Sequence, residues 1–493
     1  RHRMPGVYTF SDGSTLFQPF ADHIGIPIDK VNLVFCMVVS LPASLIYHKL
    51  LGNASRRVRE VYSLVLGLCF CWFSFGIAIR HLLANILISY ALLHLTPTVH
   101  VHRVVFLFSM GYLTFIHFYR WKFLDHYSID VTGPFMVSVQ KVTTLSFNLH
   151  DGRVKKPEEL SPLQKREAIS SVPSLLTYLS YLLHYQSILT GPLCFFTDYV
   201  NFVNHTHVAV DKDGKLPSPL ATGVRKLLQS LFFVMIYTFI EPLFPLAQII
   251  DERSQKMNTL YWLLLIYITM VLQRFQYYFA WYFADATYNL SGFGFSGFDE
   301  ETGTAKWDLA TNVDAWKVES AQSFKVTLDG WNCMTMGWLR RVAFDRAPKK
   351  YRTISTYLLS AWWHGLFVGY YVTFFTGAIM TLGGKSWRRS MRWRFVGSKP
   401  AKFAYNVITF IGTKMVLAYT TYPFVCLHAE PGFQFYRSLY LSGHIFAVFV
   451  AAGFPVLLPP PKTDDKITKI DDTNGQSKGL LEATGEEEKR KEQ

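Results

Sequence analysis

The sequence predicts an all-α, polytopic integral membrane protein with about eleven transmembrane helices. Three observations carry that reading. Of the 493 residues 50% are hydrophobic and 16% aromatic, while only 17% are charged, against about 25% in soluble proteins. Apolar runs able to cross about 30 Å of hydrocarbon, roughly 20 residues each, recur from end to end. Strand-type alternation over about ten residues never recurs, which excludes a β-barrel. Disorder, collagen and coiled coil are excluded as well, because apolar residues are abundant, the 31 glycines have no period of three and no heptad is sustained.

Taken in order, residues 1–30 form an N-terminal segment with no positively charged start ahead of an apolar cleavable core, so no signal peptide is read there. The multi-span unit covers 31–461, with runs at 31–51, 61–79, 82–95, 104–120, 134–149, 173–196, 227–249, 259–290, 353–383, 403–427 and 438–459. The shorter runs suit tilted or re-entrant segments. Hydrophilic stretches at 150–172 and 201–226 read as ordered surface loops. Residues 462–493, with Asp464-Asp465, Asp471-Asp472 and Glu486-Glu487-Glu488, read as a disordered polar tail.

The formal charge of +14 lies mostly in short loops between apolar runs. A nucleic-acid protein would gather it on a soluble face, so anionic headgroups or an anionic cosubstrate are the expected partners. Cys36, Cys69, Cys71, Cys194, Cys333 and Cys426 show no C-x-x-C pair and no Cys/His ligand spacing. They read as buried thiols, and no metal site is expected. Arg56, Arg57 and Arg59 place the first short loop on the cytosolic side, in competition with the formal sequon Asn53-Ala54-Ser55.

Chemistry is expected at 353–384, where 32 residues contain no Asp, Glu, Lys or Arg and one histidine, His364. An ionisable group at that depth costs free energy and is by default a functional candidate. His117, His184 and His444 also lie in apolar runs and are expected to be structural, each bonded to a neighbouring helix. Small Ser360, Ala361 and Gly365 beside Trp362, Trp363, Tyr370 and Tyr371 suit a cavity with an aromatic wall. Upstream, Trp331, Thr335, Trp338 and Val342 share a helical face, and an amphipathic helix at the membrane interface is expected. Arg340, Arg341, Arg346, Lys349, Lys350 and Arg352 crowd its end with Asp345 alone against them. Gly292-Phe293-Gly294-Phe295-Ser296-Gly297 spells a dinucleotide fingerprint but follows a long helical run without a βαβ unit, so it reads as a tight turn at a helix end.

Trp363-His364-Gly365 followed by Gly369-Tyr370 and Phe374 resembles the W-H-G-x-x-x-G-Y-x-x-x-F signature of the membrane-bound O-acyltransferases. Trp307-Asp308 resembles their W-D element, Trp331-Asn332 their Asn segment, and Tyr277-Tyr278-Phe279 their aromatic run. The resemblance covers most of the chain, from Gly13-Ser14-Thr15 through Gly191-Pro192-Leu193 to Ser360-Ala361, and is strongest to the lysophospholipid acyltransferase branch. Within that branch it points to the subgroup acting on lysophosphatidylethanolamine and lysophosphatidylserine. Val368 and Phe344-Asp345-Arg346 depart from the usual pattern and leave the catalytic assignment alone.

The resemblance implies helices around an intramembrane reaction chamber and acyl transfer from long-chain acyl-CoA, a cosubstrate, to the free hydroxyl of a lysophospholipid, with no cofactor. His364 is the expected general base, since a neutral imidazole can accept the hydroxyl proton. A thioester expels a good leaving group, so direct transfer needs no covalent enzyme intermediate. Asn332 orients the acceptor or donates to the developing oxyanion. Arg340, Arg341 and Lys349 are expected at the acyl-CoA, with Trp307, Asp308, Trp331, Trp363 and Tyr370 in the chamber wall. Two alternatives remain: another acceptor, a sterol or a protein, or a transporter with a proton-relay histidine, for which Glu241 and Asp285 are embedded in apolar runs. Lys489-Arg490-Lys491-Glu492-Gln493 resembles a K-x-K-x-x retrieval signal and implies the endoplasmic reticulum membrane, with chance tail charge as the rival reading.

Overall fold

Helices occupy most of the apolar runs, and glycine or proline lies just beyond several of their ends, as at Gly76, Pro97, Gly292 and Gly365. The computed structural model describes residues 12–123, 128–212, 214–251 and 256–459. The polar tail and its retrieval pattern lie outside these residues. The first half comprises α1 (Gln18–Ile24), α2 (Ile28–Leu50), α3 (Arg56–Phe75), α4 (Ile79–Leu95), α5 (Val101–Phe123), α6 (Thr132–Val154), α7 (Pro162–Glu167), α8 (Leu175–Leu183), α9 (Phe196–Asn204) and α10 (Leu220–Ile240). The second comprises α11 (Thr259–Leu290), α12 (Ala315–Ser320), α13 (Phe324–Gly330), α14 (Cys333–Leu339), α15 (Arg352–His364), α16 (Val368–Phe395), α17 (Lys399–Cys426), α18 (Ala429–Ser438) and α19 (Ser442–Leu457). Between α11 and α12 a small hairpin pairs β1 (Gly297–Phe298) with β2 (Ala305–Lys306).

The molecule is predominantly helical and spans the membrane several times, but eleven spans are not supported. Among the described residues, five stretches are long and apolar enough, α2, Arg56–Leu95, α5, Leu220–Leu243 and α11, or six if the α18–α19 pair, bent by 72°, is one span. Two expected spans are broken. The run at 173–196 is helical only in α8, after which His184, Gln186 and Ser187 bond to neighbouring groups. The run at 353–383 divides between α15 and α16. A third, α6, is enclosed by protein, with every residue from Ser138 to Leu149 buried. Its Thr143, Thr144 and Ser146 hydroxyls donate to α6 carbonyls three or four residues back, which removes their hydration cost and lets neighbouring backbones approach.

One core joins α3–α6, α8 and α9 with α14 and α15, and a second joins α11, α13 and α16 to α19. The expected turn after α11 is present: Gly292 and Gly297 have φ of +87° and +119°, a region that side chains disfavour. All six cysteines are free; Cys69 is exposed, contrary to the uniform burial expected.

Candidate functional site

His364 is the last residue of α15, not the middle of a span. The break is dictated by Gly365, whose φ of 125° and ψ of −160° fall in a region essentially reserved for glycine. A Cβ there would also stand 3.0 Å from Nδ1 of His117. The helix end is tied to two neighbours, α5 and α6, by three hydrogen bonds. His117 Nε2 lies 3.0 Å from the Trp363 carbonyl, Trp363 Nε1 donates to the Met136 carbonyl at 3.0 Å, and Trp362 Nε1 donates to Thr114 Oγ1 at 2.7 Å. A carbonyl only accepts, so Nε2 of His117 carries its proton and donates.

Four aromatic rings enclose the His364 imidazole: Phe374 stacked at 5.4 Å, Tyr370 at 5.5 Å, Phe424 at 5.0 Å and Trp363 at 4.6 Å between centroids. Its residual surface leaves it half-buried. The other three apolar-run histidines are engaged, as expected of structural residues: His117 with Trp363, His184 with Lys141, Gln186 and Cys194, and His444 with Thr376 and Tyr419. Among the described residues no hydrogen bond reaches the ring of His364.

Asn332 joins α13 to α14 with φ 49° and ψ 49°, a left-handed conformation that asparagine tolerates better than most side chains. Its Oδ1 accepts from Asn312 Nδ2 at 3.1 Å. Trp331 beside it packs against Trp281 at 4.9 Å, Tyr277 at 5.7 Å and Tyr278 at 5.9 Å, all on α11. The helix expected at the membrane interface is instead docked on α6, where Thr335 accepts from Gln140 at 3.0 Å and Trp338 Nε1 donates to Thr143 at 3.0 Å. Its shared face is used for protein packing. Trp338 and Trp363 meet at 5.8 Å, which links the Asn-bearing and His-bearing segments. No hydrogen bond joins Asn332 to His364 among the described residues.

The basic segment is more balanced than its local sequence. Arg340 pairs with Asp345 at 3.5 Å, Arg341 with Glu167 at 3.6 Å, and Arg346 grips both carboxylate oxygens of Asp151. Arg341 is buried, with its guanidinium 3.4 Å over the Phe195 ring, and burial draws its pKa below the usual arginine value despite Glu167. Lys349 and Lys350 are exposed.

Among the described residues, no hydrogen bond or ring contact joins Trp307 or Asp308 to His364. Trp307 is buried against Phe295, while exposed Asp308 accepts from Ser296 and holds the hairpin. The residues that fix this loop are ones the sequence reading did not assign. Lys226 Nζ donates to Asp285 Oδ2 at 2.7 Å, to the Trp307 carbonyl at 2.7 Å and to Thr311 Oγ1 at 3.0 Å. An aspartate embedded in an apolar run was the signal, since a buried carboxylate requires a cation or donors near it. A groove of about 560 Å³, lined by Phe106, Leu358, Leu359, Trp362, Tyr371 and Arg346 among others, opens on the side of α15 away from His364 and is not the space around the imidazole.

The sequence model of the MBOAT, or membrane-bound O-acyltransferase, family matches residues 31–421. The chain is 38% identical to mouse (Mus musculus) membrane-bound glycerophospholipid O-acyltransferase 1, over 92% of this chain and 95% of that protein. It is 38% identical to human (Homo sapiens) membrane-bound glycerophospholipid O-acyltransferase 2, over 92% and 89% of the two chains. It is 35% identical to Drosophila melanogaster lysophospholipid acyltransferase 6, over 89% of this chain and 63% of the relative.

Proposed function

This chain belongs to the membrane-bound O-acyltransferase family and is an acyltransferase, and from that premise we propose that it moves a long-chain acyl group from acyl-CoA to the free hydroxyl of a lysophospholipid. The transporter alternative falls away with the family. The observation that carries the site assignment is the imidazole of His364: half-buried among four rings, it is the one histidine of the four whose ring nitrogens make no hydrogen bond among the described residues. An imidazole left open in this way can take the acceptor's proton. As the hydroxyl oxygen bonds to the thioester carbonyl carbon, its proton passes to His364, and collapse expels the thiolate of coenzyme A. The proton then neutralises the thiolate. Asn332 assists at the same reacting groups, and the tryptophans between the two segments hold them in register.

For the donor, we read the nucleotide head of acyl-CoA onto the basic segment, at exposed Lys349 and Lys350 and at Arg340, whose side chain is 14% exposed and paired with Asp345, with Arg341 as a buried support. For the acceptor, the resemblance favours lysophosphatidylethanolamine or lysophosphatidylserine. The resemblance favours residence in the endoplasmic reticulum membrane, which localisation of the protein in cells tests.

Purified protein given oleoyl-CoA or arachidonoyl-CoA should release free coenzyme A thiol only when a lysophospholipid is added, and a headgroup panel identifies the acceptor. A sterol or protein acceptor would show instead as thiol release with those compounds alone. His364→Ala should abolish release while leaving a monodisperse protein, and Asn332→Ala should lose at least about a hundredfold. Near-normal turnover in folded His364→Ala would sink the mechanism.

A further inference from the structure

We propose that Asn312 sets the direction of the Asn332 carboxamide, so that Asn332 meets the reacting groups as a hydrogen-bond donor and not as an acceptor. The inference rests on the reading of Asn332 given above and decides between the two roles that the sequence leaves open.

The two ends of an amide side chain are distinguished by their partners. Asn312 is 3% exposed, and its Oδ1 lies 3.0 Å from the backbone nitrogen of Met334. A backbone N–H can only donate, so oxygen must occupy that end of Asn312. The other end is therefore NH2, and it faces the Asn332 carboxamide at 3.1 Å. An NH2 group needs an acceptor, so Asn332 turns its Oδ1 inward and keeps Nδ2 for whatever approaches. The backbone reinforces the match, because Cys333 N–H donates to the Asn312 carbonyl at 2.8 Å.

Asn312 is itself held. The preceding residue, Thr311, donates to Asp285 Oδ2 at 2.7 Å and accepts from Lys226 Nζ at 3.0 Å. The loop carrying Asn312 is thus pinned to α10 and α11, and the dipole it imposes on Asn332 is built into the fold. A donor cannot remove the acceptor's proton, so the base role falls to His364 alone. It can stabilise negative charge on the thioester carbonyl oxygen as the new bond forms, which favours the transition state over bound substrate. Asn312 is in this account a positioning residue.

Asn312→Asp preserves the size of the side chain and the acceptor for Met334 N–H but replaces the inner NH2 by oxygen, so Asn332 should rotate its NH2 toward the new carboxylate. The expected result is a fall in kcat of about a hundredfold with KM for both substrates within about threefold, and no further fall when the change is made in Asn332→Ala. Asn332→Asp supplies an independent arm. Its carboxylate still accepts from Asn312 but cannot donate, so its kcat should be as low as that of Asn332→Ala. A folded Asn312→Asp enzyme with kcat within about threefold of wild type, or an active Asn332→Asp enzyme, overturns the inference if Asn332→Ala remains inactive. Normal turnover in Asn332→Ala would instead overturn the role given to Asn332 in the proposed function.

Discussion

His117 on α5 donates to the carbonyl of Trp363 at 3.0 Å, one residue before the catalytic candidate His364. That carbonyl belongs to the last turn of α15, where the helix leaves its acceptors without intrahelical donors. The contact therefore caps the helix that Gly365 ends and sets the height at which His364 emerges. His117→Phe keeps an aromatic ring but removes the donor. It should cost about 1–3 kcal/mol, the usual penalty for orphaning a buried acceptor, and should lower kcat. Thermal unfolding and acyl-transfer assays of detergent-solubilised protein check both effects, and an unchanged melting temperature would refute the capping role.

The Lys226–Asp285 pair predicts a pronounced asymmetry. Lys226→Met leaves Asp285 buried without its cation and should cost about 3–5 kcal/mol, whereas Lys226→Met combined with Asp285→Leu should cost less than the single change. Both should impair turnover, because the Trp307 carbonyl and Thr311 lose their Lys226 donor. Melting temperatures of the two variants decide the point; a double variant less stable than Lys226→Met would contradict it.

The basic segment predicts a division of labour between adjacent arginines. Arg340→Ala should raise KM for acyl-CoA and weaken its salt dependence, and transfer from an acyl-pantetheine without the nucleotide should barely change. Arg341→Ala should reduce stability and affect both donors alike, because Arg341 is buried on Phe195 and paired with Glu167. Parallel KM measurements with the two donors separate these outcomes. Equal losses with both donors in Arg340→Ala would remove Arg340 from the coenzyme site.

Asp198 predicts a dependence on pH. Burial raises its carboxyl from 3.8 to about 6, although Arg166 donates to it at 2.7 Å and opposes the shift. Between those two values the folded chain holds a proton that the unfolded chain releases, so this contribution to stability is present at low pH and is lost as pH rises toward about 6. The melting-temperature advantage of Asp198→Asn over wild type should accordingly grow across this interval. A constant difference across it would show that Asp198 does not titrate there.

The composition and run lengths of this chain determine its class, since so apolar a sequence cannot cover itself with water-facing groups. They also expose His364, because a lone ionisable residue in a charge-free run is visible without any neighbours, and the family motif around it adds Asn332. Of the four aromatic residues expected beside His364, Trp363 and Tyr370 pack against its ring, whereas Trp362 and Tyr371 line the groove on the other side of α15, because helix phase and not sequence proximity sets which face a ring takes.

What only the tertiary structure decided depends on groups distant along the chain. Arg346 looks unpaired beside its lysine and arginine neighbours, yet Asp151, 195 residues earlier, accepts from both of its terminal nitrogens. Gly365 looks like one small residue in a span, yet its backbone angles break the helix and bring His117 against the break. Asn312 carries no signal in a polar loop, but fixes Asn332 through a partner chosen by folding. Hydrophobic burial follows average composition and is readable locally. Hydrogen-bond direction and charge balance depend on which atoms meet within a few ångströms, and folding alone brings those atoms together.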